Sequence, residues 1–468
     1  LEVESTVKKF WSVLVVAASA ALFLTVTQVE AADTSDERLK ALEKQVDELK
    51  KELASAKSSG TLPADKLAEL ERQIGLLARE LEKMRIGEAA EEPPLASKYG
   101  LGPAASKVYR KDKGVSIGAY GEVIYQNFAQ TGDDGLPSGK QDTVDMQRLV
   151  LYFGYKWSDR WLINSELEWE HATTGEGAEE KGEVSVEFAN LEYHIRNEAN
   201  IRAGLVLIPV GFINEMHEPT TFLGALRPNV EQTIIPTTWR EVGVGAFGDA
   251  GPVSYRAYVV AGLSAAGFEA ADIREGRQQG SNSVADDLAL TGRVDWNAFP
   301  GFVVGASFFT GKSGQGLTDL TGAEIDANTT LLEGHVEYKW RGLQTRALFA
   351  TTSIDDVARI NDALGFTGAD SIGETQKGWY AEAGFNVLSF AKETQQSLIP
   401  FVRYEAYDSQ NEVPVGFTRN GANDVKVATI GVSWRPISHI VVSADFQGFE
   451  NRAGTGTDQW NLGLGFIF

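Results

Sequence analysis

RWLINSELEWEH, residues 160–171, sets Trp161, Ile163, Leu167 and Trp169 against Asn164, Glu166, Glu168 and Glu170 in strict alternation. Successive side chains of an extended chain point to opposite faces, so this is a strand with one apolar face and one acidic face. A half-buried strand of a water-soluble sheet shows such a pattern once. Here it recurs: Leu149, Leu151, Phe153, Tyr155 and Trp157; Leu332, Val336, Tyr338 and Trp340; Trp379, Ala381, Ala383, Phe385 and Val387; Ala428, Ile430, Val432 and Trp434; Ile440, Val442, Ala444 and Phe446.

The connections separate a sandwich from a barrel. Short links at 158–160, 196–200, 248–252, 297–301, 341–342, 389–397 and 435–439 alternate with long polar stretches near 130–142, 171–183, 212–240, 268–287, 311–328, 353–376, 408–424 and 449–457. Outer-membrane barrels alternate in this way, with short periplasmic turns and long outer loops, and an even strand count leaves both barrel ends in the periplasm. Rings flank the short links, with Trp157 and Trp161 at one, Trp296 and Phe299 at another, and Trp340 and Trp434 at two more. An indole is stable at the headgroup boundary, so this is the girdle of a membrane barrel. The expected fold is all-β: an antiparallel transmembrane β-barrel of about sixteen strands over 114–468. The last stretch, QWNLGLGFIF, carries Trp460, Leu462, Leu464 and Phe466 on one face and ends on Phe468. Pairing it with the first strand would close the sheet and leave no edge.

The segment ahead of the barrel differs in kind. Lys8 and Lys9 precede an apolar run from Phe10 to Val26, and Val29-Glu30-Ala31 fits a signal-peptidase site, so 1–31 reads as a signal peptide; a membrane anchor is the other reading. Within 32–92, Leu39, Leu42, Val46, Leu49 and Leu53, then Leu67, Leu70, Ile74, Leu77, Leu81 and Met84, step by threes and fours, with Gly60 and Pro63 between the two runs. This a/d seam predicts a short periplasmic α-helical coiled coil, with a helix packed on its own barrel as the alternative. The stretch after Met84, RIGEAAEEPPLASKYGLGPAAS, is acidic, Pro-rich and aperiodic, and 93–113 reads as a linker whose Arg110, Lys111 and Lys113 form a solvated rim or meet acidic lipid heads.

Charge and composition exclude other classes. The formal net charge of -22 opposes nucleic acid as a partner, because phosphate binding needs a basic face. An exported chain with 0 Cys has no disulfide and no thiolate nucleophile or metal ligand. His171, His194, His217, His335 and His439 are scattered without metal spacing, and no Ser-His-Asp grouping stands out, so no catalytic residue, cofactor or metal is expected. His335 between Glu333 and Glu337 is the one constellation of note.

A sixteen-stranded barrel is wider than its wall side chains fill, which points to an aqueous channel. Parity turns Arg148, Arg202, Arg256, Arg293, Arg346 and Arg403 inward, most of them close to a periplasmic turn. Glu166, Glu168, Glu333, Glu382 and Glu405 face inward at middle or outer depth. The longest link, 212–240, carries Glu215, His217, Glu218, Arg227, Glu231 and Arg240 among several apolar residues, as a constriction loop would; an extracellular lid is its alternative.

IRAGLVLIPVGFINEMHEPTTFLGALRP, continuing to WREVGVGAFGD, resembles the phosphate- and polyphosphate-selective porin family in its Gly204 strand, Pro209-x-Gly211-Phe212 corner, long loop and Gly243-Val244-Gly245 strand. The resemblance implies a sixteen-stranded homotrimeric porin in the outer-membrane lipid, an inward third loop, and small ions and solutes, oxyanions such as phosphate among them. It also makes Phe468 look like the signal read by the barrel-assembly machinery; deleting it is expected to lower the amount of assembled trimer. The residues depart from the family on one point, since the 212–240 loop contains no lysine and acids crowd the outer depth. Dianion selection needs dense fixed positive charge, so the sequence predicts a general or cation-leaning pore. The other reading is a structural barrel that sheathes an electron-transfer partner or tethers the envelope.

Overall fold

The computed structural model describes residues 97–174, 182–391 and 394–468, so the signal peptide and coiled coil expected within 1–92 lie outside the described residues. Sixteen antiparallel strands close into one barrel in sequence order. They are β1 (Gly114–Phe128), β2 (Thr143–Lys156), β3 (Trp161–Glu170), β4 (Val184–Arg196), β5 (Ala199–Leu207), β6 (Arg240–Ala250), β7 (Val253–Ala261) and β8 (Leu288–Trp296). The second half holds β9 (Phe302–Lys312), β10 (Asn328–Trp340), β11 (Leu343–Ile354), β12 (Thr375–Phe385), β13 (Ser397–Glu412), β14 (Asp424–Ile437), β15 (Ile440–Asn451) and β16 (Gln459–Ile467).

Period-two burial runs through the strands. On β3, Leu162, Asn164, Glu166 and Glu168 are buried while Trp161 and Trp169 lie on the outer face. On β12 the inner set is Gln376, Gly378, Tyr380 and Glu382, and the outer set holds Trp379, Ala381 and Ala383. The apolar positions therefore form an outer belt, which needs lipid rather than water. Trp161 stacks on Tyr193 with centroids 4.6 Å apart, and Trp296 meets Phe299 edge-on at 5.5 Å, both beside short turns. The tightest turn, Arg341-Gly342, has φ of 45° and 91°, the two positive values that a type I′ hairpin requires.

Closure comes from β1 and β16, registered from Tyr120↔Ile467 to Phe128↔Gln459. Phe468 extends that pairing: its N–H donates to the Ala119 carbonyl and its own carbonyl accepts from Ala119 N–H, both at 2.9 Å, while its ring stays 52% exposed. Both chain-end strands thus meet at the short-turn end, as the even count requires.

Two segments occupy the interior, and the second departs from the sequence reading. The connection 208–239, with the helical turn α1 (Val230–Thr233), folds inward instead of standing over the mouth. The second segment was expected to be a solvated linker, yet Tyr99, Leu101, Ala104, Ala105 and Val108 are 8% exposed or less and pack against the inner wall. A 3-10 turn, Ala105–Arg110, ends this segment before β1; Ser97 and Lys98 at its start and Arg110, Lys111, Asp112 and Lys113 at its end are exposed. Small residues let the backbone approach the wall, which the acidic composition upstream concealed.

Toward the long-loop end, connections 262–287, 313–327 and 355–374, the last containing α2 (Val357–Leu364), bring Phe268, Ile273, Ile325 and Ile360 onto Ile234, Trp239 and Phe309 of the interior. Trp239 and Phe309 have ring centroids 4.5 Å apart. Each large apolar side chain so buried contributes about 1.5–3 kcal/mol, enough to keep these loops folded over the mouth. The lumen is accordingly not the wide water-filled space that strand number alone suggests.

Candidate functional site

The inward faces of the strands carry rows of opposite charge set by register. Glu122 of β1 lies opposite Arg148 of β2, and Glu192 of β4 opposite Arg202 of β5. Glu337, Arg346, Glu382 and Arg403 form one cross-strand row over β10 to β13. Directly opposed unlike charges attract, and here they do so away from water. Arg148 meets Glu122 at 2.6 Å, Arg202 meets Glu192 at 2.8 Å, Arg346 meets Glu337 at 2.7 Å and Arg403 meets Glu382 at 3.0 Å.

Arg256 and Arg293 face each other across β7 and β8 and share Asp295, at 3.0 and 2.9 Å. Asp295 also pairs with His335 Nε2 at 2.8 Å, and the other ring nitrogen pairs with Glu333 at 2.8 Å. Gly305 of β9 lies between Asp295 and His335 in the register, where a Cβ would come 2.4 Å from one and 2.6 Å from the other. Asp295 was missed in the sequence, although it shares a face with Arg293 two residues earlier. The Glu333-His335-Glu337 constellation divides: Glu333 holds the histidine, and Glu337 turns to Arg346 and Lys339. Among the described residues, no group of side chains is arranged to hold a metal ion.

The inward connection is held by the same charges. Glu405 accepts from Asn229 Nδ2 at 3.0 Å and Val230 N–H at 3.1 Å, and Glu231 accepts from Ile213 N–H at 2.7 Å and the Tyr380 hydroxyl at 2.6 Å. Asn214 clips the two ends together, donating to the carbonyls of Ile208 and Trp239 at 2.7 and 2.8 Å and accepting from Trp239 N–H at 2.7 Å. Glu215 pairs with Arg256 at 2.8 Å, His217 with Glu166 at 2.9 Å, Arg148 with Glu168 at 3.4 Å, and Arg240 with Glu187. Arg227 donates to the His217 carbonyl at 3.4 Å. Three wall arginines hold the loop as well: Arg346 reaches the Thr221 carbonyl at 3.2 Å, Arg403 that of Leu223 at 2.5 Å, and Arg293 that of Gly211. A second latch escaped the sequence reading. Arg274 and Arg277 of connection 262–287 donate to the carbonyls of Thr237 and Thr238, and burial together with Arg274 pushes the Arg277 guanidinium down to about 9.

All seventeen charged residues singled out from sequence, eleven on the wall and six in the loop, are 7% exposed or less. Buried charges are tolerated only when partnered and hydrogen-bonded, which explains why the loop inserts polar atoms at Arg256, Arg293, Arg346 and Arg403. Glu218 is poorly compensated, with one carboxyl oxygen lacking a hydrogen-bond partner among the described residues. Burial pushes its carboxyl up to about 7; His217 opposes this, Glu166 adds to it, and a hydrogen bond of 3.2 Å from Ala104 N–H opposes it. The folded chain therefore keeps a proton that the unfolded chain, with an ordinary value of 4.5, releases. Stability falls as pH rises from 4.5 to 7 and the penalty is complete above that window. Glu218→Gln removes it, so urea unfolding in detergent should show the variant more stable than the parent by roughly 3 kcal/mol at pH 8. The gain should vanish near pH 4, and a loss at both pH values would refute the assignment.

With this geometry in place, the chain can be compared with known proteins. No family model matches it. An uncharacterized protein of Aquifex aeolicus (strain VF5) is 37% identical over 377 residues, spanning 79% of this chain and 83% of the relative. The chain belongs to the same family as that protein. Among solved structures, Salmonella typhi OmpF in complex with daunomycin matches 77% of this chain and 99% of its own, with a TM-score of 0.51 and 12% identity. The outer membrane channel DcaP of Acinetobacter baumannii matches 76% and 98%, with a TM-score of 0.46 and 14% identity. The likeness to OmpF is one of fold: this family has a porin-like sixteen-stranded barrel.

Proposed function

We propose that this chain is an outer-membrane channel that lets small hydrophilic ions and solutes diffuse passively, and that its lumen leans toward cations. The observation that carries the selectivity is the pairing of all six wall arginines. Arg148, Arg202, Arg256, Arg293, Arg346 and Arg403 each have a carboxylate within 3.0 Å, so none offers an uncommitted charge to a dianion. Phosphate selection would require such charges, because the protein must replace the anion's hydration with fixed donors. The net charge of -22 and the outer-loop acids Asp133, Asp134, Asp355, Asp356 and Asp370 raise the local concentration of cations at the long-loop mouth.

In this reading the short-turn end faces the periplasm, 1–31 is a signal peptide, 32–92 a periplasmic coil and the assembly a homotrimer. Phe468, paired to Ala119 with its ring outside, is offered to the assembly machinery. The selectivity is tested by the reversal potential across a tenfold KCl gradient in a planar bilayer. A potential of the sign set by potassium is expected, and one dominated by chloride would contradict the proposal.

A further inference from the structure

Residues 97–110 lie inside the wall at the short-turn end, in a seat cut to receive them. Tyr99 packs its ring on Phe247 at 5.0 Å and Tyr109 at 5.2 Å, and its hydroxyl donates to Asn197 at 3.2 Å in the turn after β4. Tyr109 donates to Glu192 at 2.8 Å and accepts from Arg202 at 3.2 Å. On the neighbouring strand β3, Asn164 donates to the Ala105 carbonyl at 2.9 Å.

Glycine stands on both sides of the contact. On the wall, a Cβ on Gly118 would lie 2.8 Å from the Ala104 carbonyl oxygen, and one on Gly154 would lie 2.8 Å from Val108 Cγ2. On the segment, Gly100 would meet Glu215 Oε1 at 2.3 Å, and Gly102 would meet Glu218 Oε2 at 1.8 Å. Gly100 has a φ of +83° besides. These last two contacts join the segment to the inward loop. The segment reaches β1 to β7, while the loop reaches on to β13 at Glu405 and to β15, where Ala225 N–H donates to Asp445 at 2.7 Å.

We propose that residues 97–110 are a plug which, seated beside the inward loop, sets the conductance of the channel, so that the narrowest section is built from two segments of chain. The proposal rests on the channel reading above. It goes beyond that reading because a plug made of chain preceding the barrel ties solute flow to the region ahead of it.

The experiment is single-channel recording in planar bilayers on the full chain, on a chain lacking 97–110, and on Gly102→Val. The valine must displace the buried Glu218 carboxylate and lies outside every strand, so it disturbs the seat of the plug without touching the barrel ladder that the deletion adjoins; heat-modifiable migration reports the folded barrel for each. Both variants are expected to conduct at least twofold more than the parent. Folded variants with the parent's conductance would overturn the plug and leave the channel standing. Silence from all three proteins would overturn both.

Discussion

Alanine at position 295 is expected to lower the unfolding free energy of the barrel by about 3–5 kcal/mol, the cost of removing one partner from a buried ionic group. Asp295 is 7% exposed and answers Arg256, Arg293 and His335 together. Without it, two guanidiniums directly opposed in register share the single carboxylate of Glu215, at 2.8 Å from one and 3.9 Å from the other, and Arg293 keeps the Gly211 carbonyl besides. Urea unfolding of detergent-refolded protein measures the loss. Asp295→Asn, which retains acceptors without the charge, should fall between the two. A loss below about 1 kcal/mol would show that the network is hydrated and screened like a surface pair.

The double variant Glu231→Ala with Glu405→Ala is expected to raise single-channel conductance several-fold. These two carboxylates take four hydrogen bonds and hold α1 and the 213 corner to β12 and β13. Neither lies in the row that pairs the wall arginines most closely, and Glu405 stands 3.9 Å from Arg403, whose nearer partner Glu382 remains. The barrel ladder is untouched, so the loop is released while the wall persists. The single variants should give intermediate conductance, because each leaves one anchor in place. A double variant with parental conductance and normal heat-modifiable migration would mean that the remaining anchors, the wall arginines on the carbonyls of Gly211, Thr221 and Leu223 and the apolar packing of Ile234 and Trp239, hold the loop.

The fold was legible because a period of two assigns every residue of a strand to a face. Trp161 and Glu166, Leu332 and Glu333, Trp379 and Glu382 all fall on the sides that their alternation demands. The same parity placed the six wall arginines and five wall glutamates inside. What alternation could not supply was the partner of each charge, since that depends on register between strands and on segments distant in the chain. Arg202 meets Tyr109, and Glu405 meets Val230, across sequence separations of 93 and 175 residues. The misread segment, 97–110, shows the limit from the other side. Its Pro and neighbouring acids resemble a solvated linker, but Gly100, Gly102, Ala104 and Ala105 are the small residues that a crowded seat requires, and that signal was present in the sequence.

The claim on which the rest depends is that this barrel conducts although its interior charges are paired and its lumen holds two segments of chain. Single-channel recording of the purified, folded full chain tests it most directly. Discrete current steps that scale with the concentration of KCl are predicted, whereas a heat-modifiable barrel that inserts into the bilayer and passes no current would contradict the account.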